Sequence, residues 1–233
     1  MSTFHFKHFD VANDSSAMKV GTDGVILGAA ATVSPRDRRV LDAGTGTGLI
    51  ALMLAQRYSE PRPFITGIDI DAPSAAEAAA NFSASPWSDC LEAAHCPLEG
   101  YLPMSDLDLI VSNPPYFQNS LLPPLPGRTQ ARHVSGDAMG FLDLAAFAQE
   151  HLSESGRLSV ILPYDQRTGT LRVAASFGLY PFRILSVKTS ERKAPSRFVA
   201  EFSRERVACP QEEMMVIGDE KYSLLTGDFY LDK

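Results

Sequence analysis

Val40-Leu41-Asp42, then Ala43-Gly44-Thr45-Gly46-Thr47-Gly48, then Leu49-Ile50-Ala51-Leu52-Met53-Leu54-Ala55-Gln56-Arg57 is the stretch that decides the fold. The first three residues read as a short apolar strand. The last nine are rich in helix formers and apolar nearly all round, as in a buried helix. Between them three glycines at alternate positions let the backbone bend sharply and let a ligand approach the peptide plane without meeting a Cβ atom. The next unit repeats the plan. Phe64 to Ile70 reads as a strand, Asp71 caps the following element, and Ala72 to Phe82, with Pro73 in its first turn, reads as a helix.

Working outward, strands are expected at Leu91 to His95, Leu107 to Ser112 and Leu158 to Leu162, with a helix at Phe141 to Leu152. Alternating β and α units imply an α/β fold, a doubly wound, mostly parallel sheet covered by helices on both faces. The C-terminal part changes character. Arg183 to Lys188 and Phe198 to Ser203 are strand-like runs joined by the polar link Thr189 to Arg197, so a hairpin with one antiparallel strand near the C-terminus is expected to close the sheet. Gln118 to Gly136 carries three prolines and no period, and is expected to be a long functional loop.

Composition bounds the rest. With 233 residues, 45% hydrophobic, 16 glycines, 16 prolines and 3 cysteines, the chain is neither disordered, collagenous nor a disulfide mini-protein. One domain spanning 1–233 is expected, with 1–38 as an N-terminal segment and 39–233 as the core. No apolar run is long enough to span a membrane, the first residues lack the pattern of a secretory signal, and the cysteines are unpatterned. A cytoplasmic protein, with a monomer favoured, is the expectation. Net charge is −7, which argues against coating nucleic acid through bulk positive charge. The charge is unevenly spread, however. Residues 183–206 hold seven basic and three acidic side chains, a net +4, leaving −11 elsewhere.

Asp69 ends the second strand, 25 residues beyond Gly44. A carboxylate there can accept hydrogen bonds from both hydroxyls of a ribose, and Ile70 can lie against an adenine face. Together with the glycine turn this points to a nucleoside cofactor. The spacing is GxGxG and not the GxGxxG of dinucleotide enzymes, which disfavours a nicotinamide-dependent dehydrogenase. Farther on, Asp108-Leu109-Ile110-Val111-Ser112-Asn113-Pro114-Pro115-Tyr116-Phe117 leaves a strand through two prolines. Their fixed φ and missing N–H donors stiffen the arc and leave its carbonyls free to accept. The Asn113 side-chain oxygen and the Pro114 carbonyl are two fixed acceptors for the hydrogens of a planar exocyclic amine, and Tyr116 offers a ring for stacking. Two acceptors out of the amine plane favour the pyramidal nitrogen of the transition state over the conjugated ground state.

In this order, the glycine turn, Asp69 and Asn113-Pro114-Pro115-Tyr116 resemble the class I S-adenosylmethionine-dependent methyltransferases, with a Rossmann-like sheet, that modify conjugated amines. Phe4-His5-Phe6-Lys7-His8-Phe9, Ala17-Met18-Lys19-Val20-Gly21-Thr22-Asp23-Gly24-Val25-Ile26-Leu27-Gly28, Ser85-Pro86-Trp87 and Asp228-Phe229-Tyr230-Leu231 resemble the tRNA1(Val) (adenine-37-N6)-methyltransferase family over nearly the whole chain. The resemblance implies S-adenosylmethionine as cofactor. It also implies that Lys19, Thr22 and Asp23 lie near the methionine end, with Asp42, Gly44 and Gly46 around it. Asn113, Pro114 and Tyr116 are the implied catalytic positions, and tRNA is the implied partner. One position departs from the pattern: where such enzymes place an Asp for the adenine amine, this chain has Pro97. His95 and Cys96 beside it are too few for a metal site, and no metal is expected.

A base must leave its stack to reach Asn113, and aromatic stacking on Tyr116 and Phe117 offsets much of that cost. Arg128, Arg132, His133, Lys188, Arg192, Lys193 and Arg197 are the expected phosphate contacts. Three readings compete with tRNA adenine methylation. They are methylation of a release-factor glutamine, whose enzymes carry a helical N-terminal domain that 1–38 is too short to form, methylation of a guanine amine in ribosomal RNA, and a non-catalytic RNA-binding module.

Overall fold

The computed structural model describes residues 2–16, 19–115 and 139–231. In chain order the elements are β1 (Thr3–His5), β2 (Asp10–Ala12), α1 (Thr22–Ala30), β3 (Arg39–Ala43), α2 (Leu49–Arg57), β4 (Phe64–Asp69), α3 (Ala72–Ala84), β5 (Leu91–His95) and β6 (Leu107–Ser112). They continue with α4 (Phe141–His151), β7 (Leu152–Pro163), α5 (Arg167–Ser176), β8 (Tyr180–Lys188), β9 (Arg197–Ser203), β10 (Gln211–Val216) and α6 (Glu220–Thr226).

Eight strands form one sheet in the order β10-β8-β9-β7-β6-β3-β4-β5. β3, β4, β5, β6 and β7 pair in parallel, whereas β9 runs antiparallel to both β7 and β8. The alternation of apolar residues along each strand explains the two layers. Val40, Leu109, Val111 and Ile161 face a core shared with α1, α2 and α3, while Leu41, Ile110, Leu158 and Val160 face one shared with α4 and α5.

The expected hairpin is present as β8 and β9, with β9 the antiparallel strand. β9 is inserted between β7 and β8 rather than placed at the rim, and β10 adds a parallel edge strand beyond β8. Two glutamates in Gln211-Glu212-Glu213-Met214-Met215-Val216 hide this strand from an apolar-pattern reading, but an edge strand tolerates charge. β7 also starts six residues before the expected Leu158. Its early part, Ser153 to Arg157, is polar and bulged, with Leu107 opposite Leu152 and Leu109 opposite Arg157. Among the described residues no helix is long and apolar enough to cross a membrane.

Candidate active site

The carboxyl ends of β3, β4 and β6 converge on one edge of the sheet, where ligands of open α/β sheets bind. The turn after β3 is built from residues in the left-handed region, with φ of 73° at Gly44, 57° at Gly46 and 82° at Gly48. The N–H groups of Gly44 and Thr45 both donate to the Ile68 carbonyl at 2.9 Å, which ties the turn to β4. Gly48 precedes α2 and sits against α3: a Cβ there would lie 2.4 Å from Phe82 Cε1. The end of β6 is fixed to the start of the turn by Ser112 Oγ, which donates to the Ala43 carbonyl at 2.7 Å.

Two cavities share this edge. One, of about 380 Å³, is lined by Lys19 and Gly21–Gly24 from the N-terminal segment, Gly44–Thr47 of the turn, Leu49, Ile50 and Asn113. The other, of about 260 Å³, is lined among others by Ser16, Asp69, Ile70, Pro97, Pro115 and Met139, together with Gly44, Gly46 and Asn113. Gly44, Gly46 and Asn113 therefore stand at the junction of the two.

The second cavity suits a ribose. Asp69 Oδ2 accepts from the Gly46 N–H at 2.9 Å and Oδ1 from the Asp71 N–H at 2.9 Å. A carboxylate has about four acceptor positions, so roughly two remain for a vicinal diol. A Cβ at Gly44 would come 3.3 Å from Met139 Cε, so a side chain there would intrude on this lobe. Ile70, 49% exposed, offers an apolar wall beside Asp69. Pro97 is in the same lobe with Leu98 and Glu99, and the Cys96 N–H donates to the Asp69 carbonyl at 2.9 Å. His95 Nε2 lies 3.0 Å from the Ile70 carbonyl oxygen.

Asp42 lies under the turn, fully buried, and does not line either cavity. Its Oδ2 accepts from Thr45 Oγ1 at 2.7 Å and the Ala51 N–H at 3.2 Å, while Oδ1 has no hydrogen-bond partner among the described residues. Burial pushes its carboxyl up to about 7 against the pull of those two hydrogen bonds, with the Asp69 charge adding to the rise. A buried carboxylate tied to Thr45, itself in the wall of the larger cavity, sets negative charge close to a cationic ligand bound there without touching it. Together with the diol-ready Asp69, this donor set fits S-adenosylmethionine.

Among the other sequence-derived positions, Lys19 is exposed and its Nζ donates to the Asp14 carbonyl at 2.7 Å. Thr22 and Asp23 open α1 at the larger cavity. Arg197, expected on phosphate, is brought here instead: its Nε donates to Asp23 Oδ2 at 2.9 Å. Lys188 ends β8, its Nζ donating to the Glu191 carbonyl, and Arg192 and Lys193 are exposed on the β8–β9 link at the same carboxyl edge. The expected basic edge is therefore narrower than residues 183–206. Arg183 is held by Glu201 and Glu213, Arg204 donates to the Gln149 and Leu152 carbonyls, and Arg206 lies over the Tyr180 ring. Asn113 is half-buried and Pro114 buried; Tyr116, Phe117, Arg128, Arg132 and His133 lie outside the described residues.

Sequence reasoning did not single out Ser16, Leu49, Ile50 or Met139 as lining residues, nor Glu77 and Asn81 behind them. A usable signal was present in α3, where Ser74, Glu77 and Asn81 recur on one face of an otherwise alanine-rich helix.

Residues 21–125 match the family model described as the methyltransferase small domain. The chain is 41% identical to the tRNA1(Val) (adenine(37)-N6)-methyltransferase of Flavobacterium psychrophilum over 98% of its length and 99% of that protein's. It is 39% identical to the protein of the same name from Parabacteroides distasonis, over 98% of this chain and 97% of that one. Among solved structures, one described as a predicted O-methyltransferase from Agrobacterium tumefaciens superposes with a TM-score of 0.65 at 14% identity, covering 91% of this chain and 99% of that one. A TehB-like SAM-dependent methyltransferase from Corynebacterium glutamicum superposes with a TM-score of 0.53 at 20% identity, over 79% and 89% of the two chains. These structures share the fold: a mostly parallel sheet between two helical layers.

Proposed function

The chain belongs to the family of tRNA1(Val) (adenine(37)-N6)-methyltransferases, and from that membership we propose that it methylates the exocyclic N6 amine of adenine 37 in tRNA1(Val), using S-adenosylmethionine. The observation that carries the reading is the position of Asn113, at the junction of the two cavities and at the start of the rigid Asn-Pro-Pro arc. The Asp69 lobe holds the nucleoside, and the lobe lined by Lys19, Thr22 and Asp23 holds the methionine end. When bound, the cofactor supplies a methyl group on a positively charged sulfur.

The chain supplies the geometry. The Asn113 side-chain oxygen and the Pro114 carbonyl accept the two hydrogens of the incoming amine, turn its lone pair out of conjugation and aim it at the junction. Both contacts strengthen as the nitrogen pyramidalises, so they favour the transition state over the ground state. Holding the two reactants in line is worth on the order of 7–11 kcal/mol in well-oriented systems. Tyr116 and Phe117 stack the extruded base, with ~1–3 kcal/mol returned per stacked base. Lys188 at the end of β8 and Arg192 and Lys193 on the β8–β9 link, with Arg128, Arg132 and His133, meet phosphates of a tRNA entering along the carboxyl edge. A tRNA substrate supports a cytoplasmic location.

The test offers methyl-labelled S-adenosylmethionine to total unmodified tRNA, ribosomal RNA and release factor in parallel. Label in tRNA at N6-methyladenine supports the reading. Label on release-factor glutamine or on ribosomal guanine would replace it.

A further inference from the structure

Two buried polar side chains on α3 belong to neither the cofactor contacts nor the catalytic arc. Glu77 is 8% exposed and Asn81 4%. They stand one turn apart, with Ser74 one turn before them, so all three share a face of the helix. That face carries the N-terminal segment. Glu77 Oε1 accepts from the Asp14 and Ser15 N–H groups at 2.7 and 2.8 Å, and Oε2 from the Ser16 N–H at 2.8 Å. Asn81 Oδ1 accepts from the Ala12 N–H at 2.9 Å, and its Nδ2 donates to the Ala12 carbonyl at 3.1 Å. The same Nδ2 donates to the Thr47 carbonyl of the glycine turn at 2.8 Å. Ser74 Oγ meets Ser16 Oγ at 3.2 Å.

What these bonds hold in place is cavity wall. Ser16 lines the ribose lobe, and Lys19 and Gly21 to Gly24 line the larger lobe. The segment is folded back on itself at the same point: the Val20 N–H donates to Asn13 Oδ1 at 3.0 Å, beside the Lys19–Asp14 contact. Three consecutive N–H groups aimed at one carboxylate give charge-assisted bonds, stronger than neutral ones and shielded here from water. Asn81 in turn registers the segment against the glycine turn, and α3 itself starts directly after Asp69. One helix face thus fixes the spacing between the ribose carboxylate, the turn and the N-terminal residues 12–16, of which Ser16 lines the ribose lobe.

We propose that Glu77 and Asn81 are positioning residues that latch segment 12–16 onto α3 as a wall of the cofactor cavity and thereby set cofactor affinity. The inference rests on the cofactor reading above but assigns residues outside it. Glu77→Gln keeps the shape and turns an NH₂ group toward backbone N–H groups. Asn81→Asp keeps the acceptor for Ala12 and loses both donors.

Calorimetric titration of S-adenosylmethionine into each variant, without tRNA, should show Kd raised at least about ten-fold. In steady-state assays KM for the cofactor should rise alike, with kcat at saturating cofactor and KM for tRNA nearly unchanged. Tyr58→Phe is the control: it loses a 2.6 Å hydrogen bond to Asp37 at the opposite edge of the sheet and should lower Tm without moving Kd. In wild-type protein, cofactor should slow hydrogen exchange at the amides of residues 14–16. Variants with unchanged Kd and a lowered kcat, or exchange at 14–16 indifferent to cofactor, would overturn the latch alone. Wild-type protein that binds no S-adenosylmethionine would overturn the cofactor reading with it.

Discussion

Affinity for S-adenosylmethionine should rise about ten-fold between pH 6 and pH 8 because of Asp42. Its carboxyl titrates near 7, raised chiefly by burial, and its Oδ1 has no partner among the described residues. With that midpoint the carboxyl passes from mostly protonated at pH 6 to mostly ionised at pH 8, and a roughly ten-fold change in the ionised population bounds the through-space effect on a cationic ligand. The sign follows from linkage. A cation above the turn favours the carboxylate, so binding releases a proton, roughly half a proton per molecule near pH 7. In the unliganded protein the same group acts in the opposite direction. Its folded pKa exceeds its ordinary value of 3.8, so its contribution to stability is complete below about pH 4 and is lost as pH rises through 7. Titration calorimetry at three pH values, in buffers of differing ionisation heat, reads both affinity and proton count. Asp42→Asn should flatten the profile. A wild-type Kd constant within two-fold across this range, or proton uptake on binding, would refute the reasoning.

Asn113→Ala should lower single-turnover methylation by at least about a hundred-fold while leaving cofactor Kd unchanged, and an active variant would dismiss the two-acceptor arrangement. Asp69→Ala should weaken cofactor binding by ten-fold or more, since it removes the diol acceptor and strands the Gly46 and Asp71 N–H groups; calorimetry checks it. The double variant Arg192→Glu, Lys193→Glu should weaken tRNA binding and flatten its dependence on salt, the log–log slope dropping by about 1.4–1.8 if both residues meet phosphate. Filter binding over a salt series would show this, with cofactor affinity as the unaffected control. Gly48→Ala should lower Tm by several degrees, because φ is 82° and the added Cβ would meet Phe82 Cε1 at 2.4 Å.

Where strand and helix periodicity was strong, residues alone located the elements. β5, β6 and the start of α4 fall where the pattern places them, because their apolar residues face packed helices on fixed periods. α5 was not legible: Arg167-Thr168-Gly169-Thr170 opens it with poor helix formers, and it is held by packing of Thr170, Val173 and Ala174. The hairpin β1–β2 was hidden for a related reason. Three-residue strands carry little period, and theirs are secured by tertiary contacts, Phe6 stacking on Phe9 and Asn81 gripping Ala12. The glycine turn and Asp69 were legible as a pair in the sequence, and the structure joins them through the Gly46 N–H on Asp69 Oδ2. Glu77 was not, since a lone glutamate on a helix is most often a solvated charge and only the fold reveals three amides converging on it.

Charge shows the same division between what a chain lists and what a fold arranges. The net +4 of residues 183–206 suggested a basic edge, yet five of its seven cations are engaged within the protein, Lys188 among them through the Glu191 carbonyl. Arg183 neutralises the fully buried Glu201 and reaches Glu213, a task of stability in which removing one partner would strand a buried charge. Arg204 and Arg206 engage carbonyls and a ring. Arg197 does something different: by pairing with Asp23 it ties β9 to the first turn of α1, which lines the larger cavity. Arg192 and Lys193 remain exposed on the β8–β9 link at the carboxyl edge, on a body that is otherwise acidic. On the proposed reading an acidic surface repels phosphate except where that link attracts it, so orientation would come as much from repulsion as from contact. Removing surface acids far from the site should therefore strengthen RNA binding while weakening the preference for the correct tRNA. A competition assay against bulk RNA measures that exchange, and an unchanged preference would show that the attractive contacts alone select the substrate.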